Sequence, residues 1–463
     1  MYDVIIEGAT LISGSGRKRA DLAITGERIS AVLTPGEHRS ARTVVDAHGL
    51  MILPGLIDTH VHLRDPARPD RETFESGTAA AASGGVTTIC EMPTSDPPVN
   101  SADRLLKRAE TVQSRALVDF ALYGGAGPEN IDEIPRMARA GAIAFKTWLH
   151  APAKGREQEF IGLSCPRAED LPMVMSAVAS TGLRHALHCE DEEVLKDATR
   201  EIRGMISSPG IIYALSRPVS AEDSAVLRAL HIAKENGARV QIVHVSSPSA
   251  VRLVDEAKRL GVDATTETCP HYLALTEQAL KTYGSFAKCN PPLRPESAVE
   301  ELWHYLQEGR IDVIGSDHCA FLPSELAAGN EDIFCSPPGL PGLDTMLPVL
   351  LTAVDEGRLR LEDVARLTSH RAAQIFGLRT KGVLRREFDA DFVIVDPDEK
   401  WVYNPARSFS KAGVNAVYFK NHLFTGRVKQ TWARGRQVFD GERITGTLGA
   451  GHFISGKRLQ PSH

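Results

Sequence analysis

The chain has 463 residues, 42% of them hydrophobic and 24% charged, which is the make-up of a globular protein able to bury a large core. A formal charge of −6, with no basic tail and no block of like charge, speaks against nucleic acid and membrane surfaces as partners. No apolar run reaches the roughly 18 residues of a membrane helix, and Met1 to Gly8 carries Asp3 and Glu7 where a secretory leader would be basic. Seven cysteines, an odd number with no CxxC pair, suit reduced thiols in a cytoplasmic protein.

The first fifty residues read as short strands separated by Gly14, Gly16 and Gly26: Tyr2–Ile6, Asp21–Ile24 and Arg28–Val32. A similar texture returns near the end, with β-rich segments at Phe392–Val395, Val414–Tyr418 and Gln430–Ala433. Between them the pattern changes. Apolar runs at Ile52–Asp58, Val86–Met92, Val118–Tyr123, Ala142–Trp148, Arg184–Glu190, Val240–Val245, Asp263–Cys269 and Ile311–Asp317 alternate with longer segments of helical character. Those segments include Ser101–Ser114, Leu171–Thr181, Ala221–Asn236, Ser249–Leu260 and Ser297–Glu308. Strand alternating with helix implies parallel βα units, and eight runs fit an α/β fold closed as a (β/α)8 TIM barrel. A doubly wound open sheet is the alternative. No GxGxxG opens a helix after the first run, which weakens it.

The polar residues fall at the ends of the runs. The first run leads into Asp58-Thr59-His60-Val61-His62, the fourth carries Lys146, the fifth His188, the sixth His244 and the eighth Asp317. In a barrel the C-terminal strand ends converge on one face, so residues far apart in sequence are expected to meet there. An HxH pair alone is weak, since sixteen histidines give roughly 0.55 chance occurrences in a chain of this length. On a strand, however, His60 and His62 point the same way and suit one metal. Taken singly, His188 and His244 are as well read as core histidines. Lys146 follows Ala142-Ile143-Ala144-Phe145, where an ammonium is costly to bury. It is either a snorkelling surface lysine or a modified one, and CO2 would convert it to a carbamate able to bridge two metals. Asp317 ends a buried run and needs a partner; beside a metal-acidified water it can relay a proton to a leaving amide nitrogen.

With these residues in place, the chain resembles the cyclic amidohydrolases: dihydroorotases, allantoinases and hydantoinases. The resemblance rests on Pro54-Gly55-Leu56-Ile57-Asp58-Thr59-His60-Val61-His62-Leu63-Arg64-Asp65-Pro66, Phe145-Lys146, His188-Cys189-Glu190 and His244-Val245-Ser246-Ser247. Glu267-Thr268-Cys269-Pro270-His271-Tyr272-Leu273 and Gly315-Ser316-Asp317-His318-Cys319 continue it. It implies a barrel over residues 53–384, flanked by a small β-sandwich from residues 1–52 and 385–463. It also implies two divalent metals, usually zinc, with manganese, cobalt or iron accepted by the same donors. His60, His62 and Asp317 would hold one, His188 and His244 the other, and carbamylated Lys146 both. Arg64 and Asn290 match dihydroorotase substrate contacts, and the loop at Gly339 matches the one after strand eight. Thr94 and Phe321 stand where that branch has asparagine and histidine against the substrate. The implied substrate is a small cyclic amide, and relatives are often homodimers or homotetramers. A silent scaffold, or a hydrolase of acyclic amides or a deaminase, are the alternatives; metal content and a substrate panel separate them. The role of His271 stays open between orienting substrate and packing.

Overall fold

The computed structural model describes residues 1–456 except 38, 203 and 206; the tail 457–463 of the expected sandwich segment lies outside the described residues. Eight parallel strand positions form the barrel: Leu56–His62, Val86–Glu91, Asp119–Leu122 continued by Gly124–Gly125, Phe145–Trp148, His185–His188, Val240–Ile242, Ala264–Thr268, and Val313–Ile314 continued by His318–Cys319. His318 and Cys319 pair in parallel with Val61 and His62, which closes the ring. These strands are buried on both faces, so they show no apolar/polar alternation, and the polar residues they carry, such as Asp58, His60 and Lys146, are buried as well. Two helices start on side-chain caps placed just past the strand ends. Asp191 accepts from the backbone N–H of Glu193 and Val194 at 3.1 and 3.2 Å, and Ser247 from Ala250 at 3.1 Å. Each cap fixes a turn immediately after a site histidine.

Both chain ends build the second layer. A six-stranded sheet runs in the order Arg436–Phe439, Leu423–Ala433, Phe392–Val402, Met51–Pro54, Thr10–Ser13, Gly16–Arg19. A four-stranded sheet, Arg28–Leu33, Asp21–Thr25, Tyr2–Glu7 and Ala41–Asp46, packs with it around Ile6, Leu22, Ile24, Ile52, Phe392 and Ile394. Phe392 stacks on Trp432 at 5.6 Å. The fold is thus a (β/α)8 barrel with a terminal β-sandwich.

Two local expectations need correction. The run Ile52–Asp58 is two strands: Met51–Pro54 belongs to the sandwich and Leu56–His62 to the barrel, with the chain passing between layers at Gly55. Val414–Tyr418 is not a strand but part of two 3-10 turns, Gly413–Asn415 and Val417–Phe419. These turns lie against the barrel, where Asn415 Nδ2 donates to the Phe321 carbonyl at 2.7 Å and the Tyr418 hydroxyl to that of Pro341 at 3.2 Å. The barrel and sandwich are joined by buried charge. Lys381 Nζ lies 2.6, 3.2 and 2.5 Å from carboxylate oxygens of Asp119, Asp389 and Asp391, and Arg434 donates to Asp119 at 2.9 Å.

Candidate active site

His60 and His62 leave the same face of the first barrel strand and meet Asp317, which lies between the two parts of the eighth. Their Nε2 atoms lie 3.2 and 3.3 Å from one Asp317 carboxylate oxygen. Their other ring nitrogens are anchored: His60 Nδ1 is 2.7 Å from Glu267 Oε1, and His62 Nδ1 is 2.7 Å from Thr94 Oγ1. Glu267 is itself held by the Thr59 hydroxyl at 2.6 Å and the Gln241 amide at 2.7 Å. Such partners fix ring orientation and tautomer.

His188 and His244 stand beside this group, their ring centroids 4.5 Å apart, with His244 5.3 Å from His60. His188 Nε2 contacts Glu190 at 2.7 Å, and Arg217 grips the same carboxylate at 2.9 and 2.7 Å. That leaves His188 Nδ1 for a ligand. Burial drives the imidazole pKa of His60 and of His188 down to about 3, so both rings are in the neutral form that binds metal.

Lys146 lies in the floor, fully buried, its ammonium nitrogen 4.7 Å over the Trp148 ring and without a hydrogen-bond partner. Burial brings its pKa down to about 8, so a neutral amine is within reach.

Backbone conformation marks the same place. Arg64 (φ 60°), His244 (φ 39°) and Asp317 (φ 48°) are three of the six described non-glycine residues with positive φ. Left-handed backbone is disfavoured for such residues and collects where a side chain must be aimed off the end of a strand.

The site opens into a cavity of about 70 Å³ walled by His60, His62, His188, His244 and Asp317 together with Arg64, Thr94, Asn290 and Gly339. Gly339 (φ 148°) can only be glycine, because a Cβ there would overlap the Cys319 side chain. Phe321 is not in the wall: it is buried behind Arg64, whose guanidinium lies 4.8 Å from its ring. His271 is buried against Tyr272, 4.3 Å between rings, with Nε2 unpartnered. A larger cavity of about 900 Å³ lies between Phe376, Lys381, Arg434 and Ile143, away from these histidines, so size does not select the site.

Sequence reasoning missed several lining residues: Trp148, His150, Arg156 and Phe160, all on or just after the Lys146 strand. The signal available was His150, a histidine four residues past Lys146 at a strand end.

The donor set fits a metal. Three ligand-type atoms of His60, His62 and Asp317 lie within 4.8 Å of one another. His60 Nε2, His244 Nδ1 and Lys146 Nζ are buried with no hydrogen-bond partner, a costly arrangement unless a cation or a modification engages such groups. Nitrogen and oxygen donors of this kind suit a divalent first-row ion.

The amidohydrolase family model matches residues 51–438. The chain belongs to the amidohydrolase family. Its place is with the cyclic amidohydrolases, and it is a metal-dependent hydrolytic enzyme. This amidohydrolase is 38% identical to an allantoinase of Deinococcus radiodurans, over 96% of its own length and 97% of the relative's. It is 33% identical to an L-hydantoinase of Paenarthrobacter aurescens, over the whole of both chains. The solved L-hydantoinase from Arthrobacter aurescens superposes with a TM-score of 0.93 at 32% identity, covering 98% of this amidohydrolase and all of that chain.

Proposed function

We propose that this amidohydrolase opens the ring amide of a cyclic ureide or imide at a two-metal centre held by His60, His62, Lys146, His188, His244 and Asp317. What supports the proposal is that His60, His62, His188, His244 and Asp317 line one cavity, with orphaned nitrogens on His60, His244 and the buried Lys146. Lys146 takes part as a carbamate: its neutral amine adds to CO2, one N–C bond forms and one proton leaves, and the buried cation becomes an anion. Zinc is the metal favoured by the donors, with manganese, cobalt or iron as substitutes. When bound, the metals supply an acidified water and polarise the scissile carbonyl.

The protein's own groups do the rest. Asp317 takes a proton from the attacking water and passes it to the departing ring nitrogen, so hydroxyl ends on carbon and hydrogen on nitrogen. Arg64, Asn290 and the backbone at Gly339 orient the ring. Tyr213 donates its hydroxyl hydrogen to Asn290 Oδ1 and so fixes the asparagine amide. Thr94 acts through His62 and Phe321 through Arg64. The assembly is a homodimer or homotetramer in a reducing cytoplasm, a setting that seven unpaired cysteines favour. No described helix is long and apolar enough to cross a membrane.

The test is hydrolysis of dihydroorotate, allantoin, hydantoin, dihydrouracil and a simple cyclic imide by metal-loaded enzyme with bicarbonate present. Turnover of any one is expected, and Asp317→Asn should fold, bind metal and lose nearly all of it. An active Asp317→Asn variant would remove the aspartate from its role, and a wild-type protein that binds no metal would make the chain a scaffold.

A further inference from the structure

Three of the described lysines are buried, and their charges are met differently. Lys381 sits among three carboxylates, and Lys146 belongs to the candidate centre. Lys288 has no carboxylate partner among the described residues. It is 3% exposed. Its Nζ donates to the carbonyl oxygen of Ile333 at 2.6 Å and to that of Ser336, and lies 4.6 Å from the centre of the Tyr213 ring. Burial pushes its pKa down to about 7, the mark of a charge held at a cost. An apolar side chain of the same length would fill the space without that cost. What the ammonium adds is a grip on two carbonyl oxygens and a ring face at once.

The two carbonyls belong to the return leg of a loop. The chain leaves the barrel after Cys319 and rejoins it at Leu340, whose carbonyl accepts from the Cys319 backbone N–H at 2.9 Å. Ile333–Cys335 is a 3-10 turn on that leg, and Pro338 and Gly339 beyond it line the cavity at the metal centre. The Gly339 N–H donates to the Lys288 carbonyl at 2.8 Å, so the lysine holds this leg by side chain and backbone together. Two residues on, Asn290 lines the same cavity and receives the Tyr213 hydroxyl. Tyr213 is brought in by the helix Pro209–Ser216. One side chain thus ties the Pro338-Gly339 wall to Asn290 and to the tyrosine that aims it.

We infer that Lys288 is a positioning residue for ring opening, which sets the spacing between Asn290 and the Pro338-Gly339 wall and so how tightly the substrate ring is held. The inference rests on the reading of the centre as a cyclic amidase. Lys288 does not itself line the cavity, so it acts through those two groups and touches no reacting atom. A loosened wall holds the ring less well before and during reaction alike, which raises KM and leaves kcat.

Lys288→Met, which keeps the length of the side chain, tests it. With metal-loaded enzyme, KM for any ring of the panel that is turned over should rise about tenfold, while kcat stays within about threefold and metal content is unchanged. Lys288→Arg can still donate to both carbonyls and should recover part of the KM. Amide hydrogen exchange, read without substrate, should quicken in Lys288→Met over residues 333–339 and not in the barrel strands. Should Lys288→Met fail to fold, the same measurements on Lys288→Gln, with one donor left, decide. A fall in kcat at unchanged KM, or unchanged exchange over 333–339, overturns the assignment. A lower denaturation midpoint with KM and kcat both intact does the same, since it makes the lysine structural only. Wild-type turnover beside any of these results leaves the amidase reading standing. A wild type that opens no ring, with exchange quickened in Lys288→Met, sinks that reading and leaves Lys288 as the anchor of the loop.

Discussion

His62 and Thr94 are joined by a 2.7 Å hydrogen bond, and it holds the histidine ring in orientation. If Nε2 binds a metal it must be bare, and Nδ1 then carries the hydrogen toward the threonine hydroxyl. Thr94→Val keeps the shape and removes the hydrogen-bond partner. Metal affinity should drop about 10–100-fold while the fold is kept, as found when a partner behind a metal ligand is removed. Competition with a chelator reads this directly. Unchanged affinity would turn Thr94 into a substrate contact only.

Lys146→Ala should bind fewer than two metals per chain and lose turnover. Acetate, as a small carboxylate, should restore part of both. Wild-type protein prepared without CO2 should likewise regain metal and activity on adding bicarbonate. Full metal content in Lys146→Ala would rule out a bridging carbamate.

Glu267 holds His60, Thr59 and Gln241 at once from inside the barrel. Glu267→Ala leaves three buried polar groups unpaired, and stability should fall by about 3 kcal/mol or more. The denaturation midpoint checks it. A loss within about 0.5 kcal/mol, the range of ordinary surface changes, would mean that water replaces the carboxylate.

Lys381→Met should destabilise the junction of barrel and sandwich by about 3–5 kcal/mol, because Asp389 and Asp391 lose their shared cation. Adding Asp391→Asn to that variant should recover part of the loss. A double variant no more stable than the single one would show that the carboxylates do not act through Lys381.

The barrel was legible because its strands, buried on both faces, are short segments rich in apolar and β-branched residues set between helical ones. Ile52–Asp58 read as one run across Pro54-Gly55, because only the pairing of Met51–Pro54 with Phe392–Val395 reveals that it serves two sheets. Val414–Tyr418 has the composition of a strand, but its turns are held by contacts to Phe321 and Pro341 that no local pattern encodes. In the site, residues at strand ends were found because the barrel sends them to one face. Arg156 and Phe160 were not, because loops lack periodicity and their convergence on the cavity is purely tertiary.

Met51–Pro54 waits for a strand made about 340 residues later, a very non-local pairing for a sheet core. During synthesis the segment from His60 to Asp317 leaves the ribosome long before Phe392–Val402 exists. The early chain therefore carries an open sheet edge at Met51–Pro54, the kind of edge that recruits other chains. A product ending before residue 392 keeps that edge for good, so shortened forms retaining all six candidate ligands should aggregate, and the intact C-terminal strands act as the chain's own chaperone.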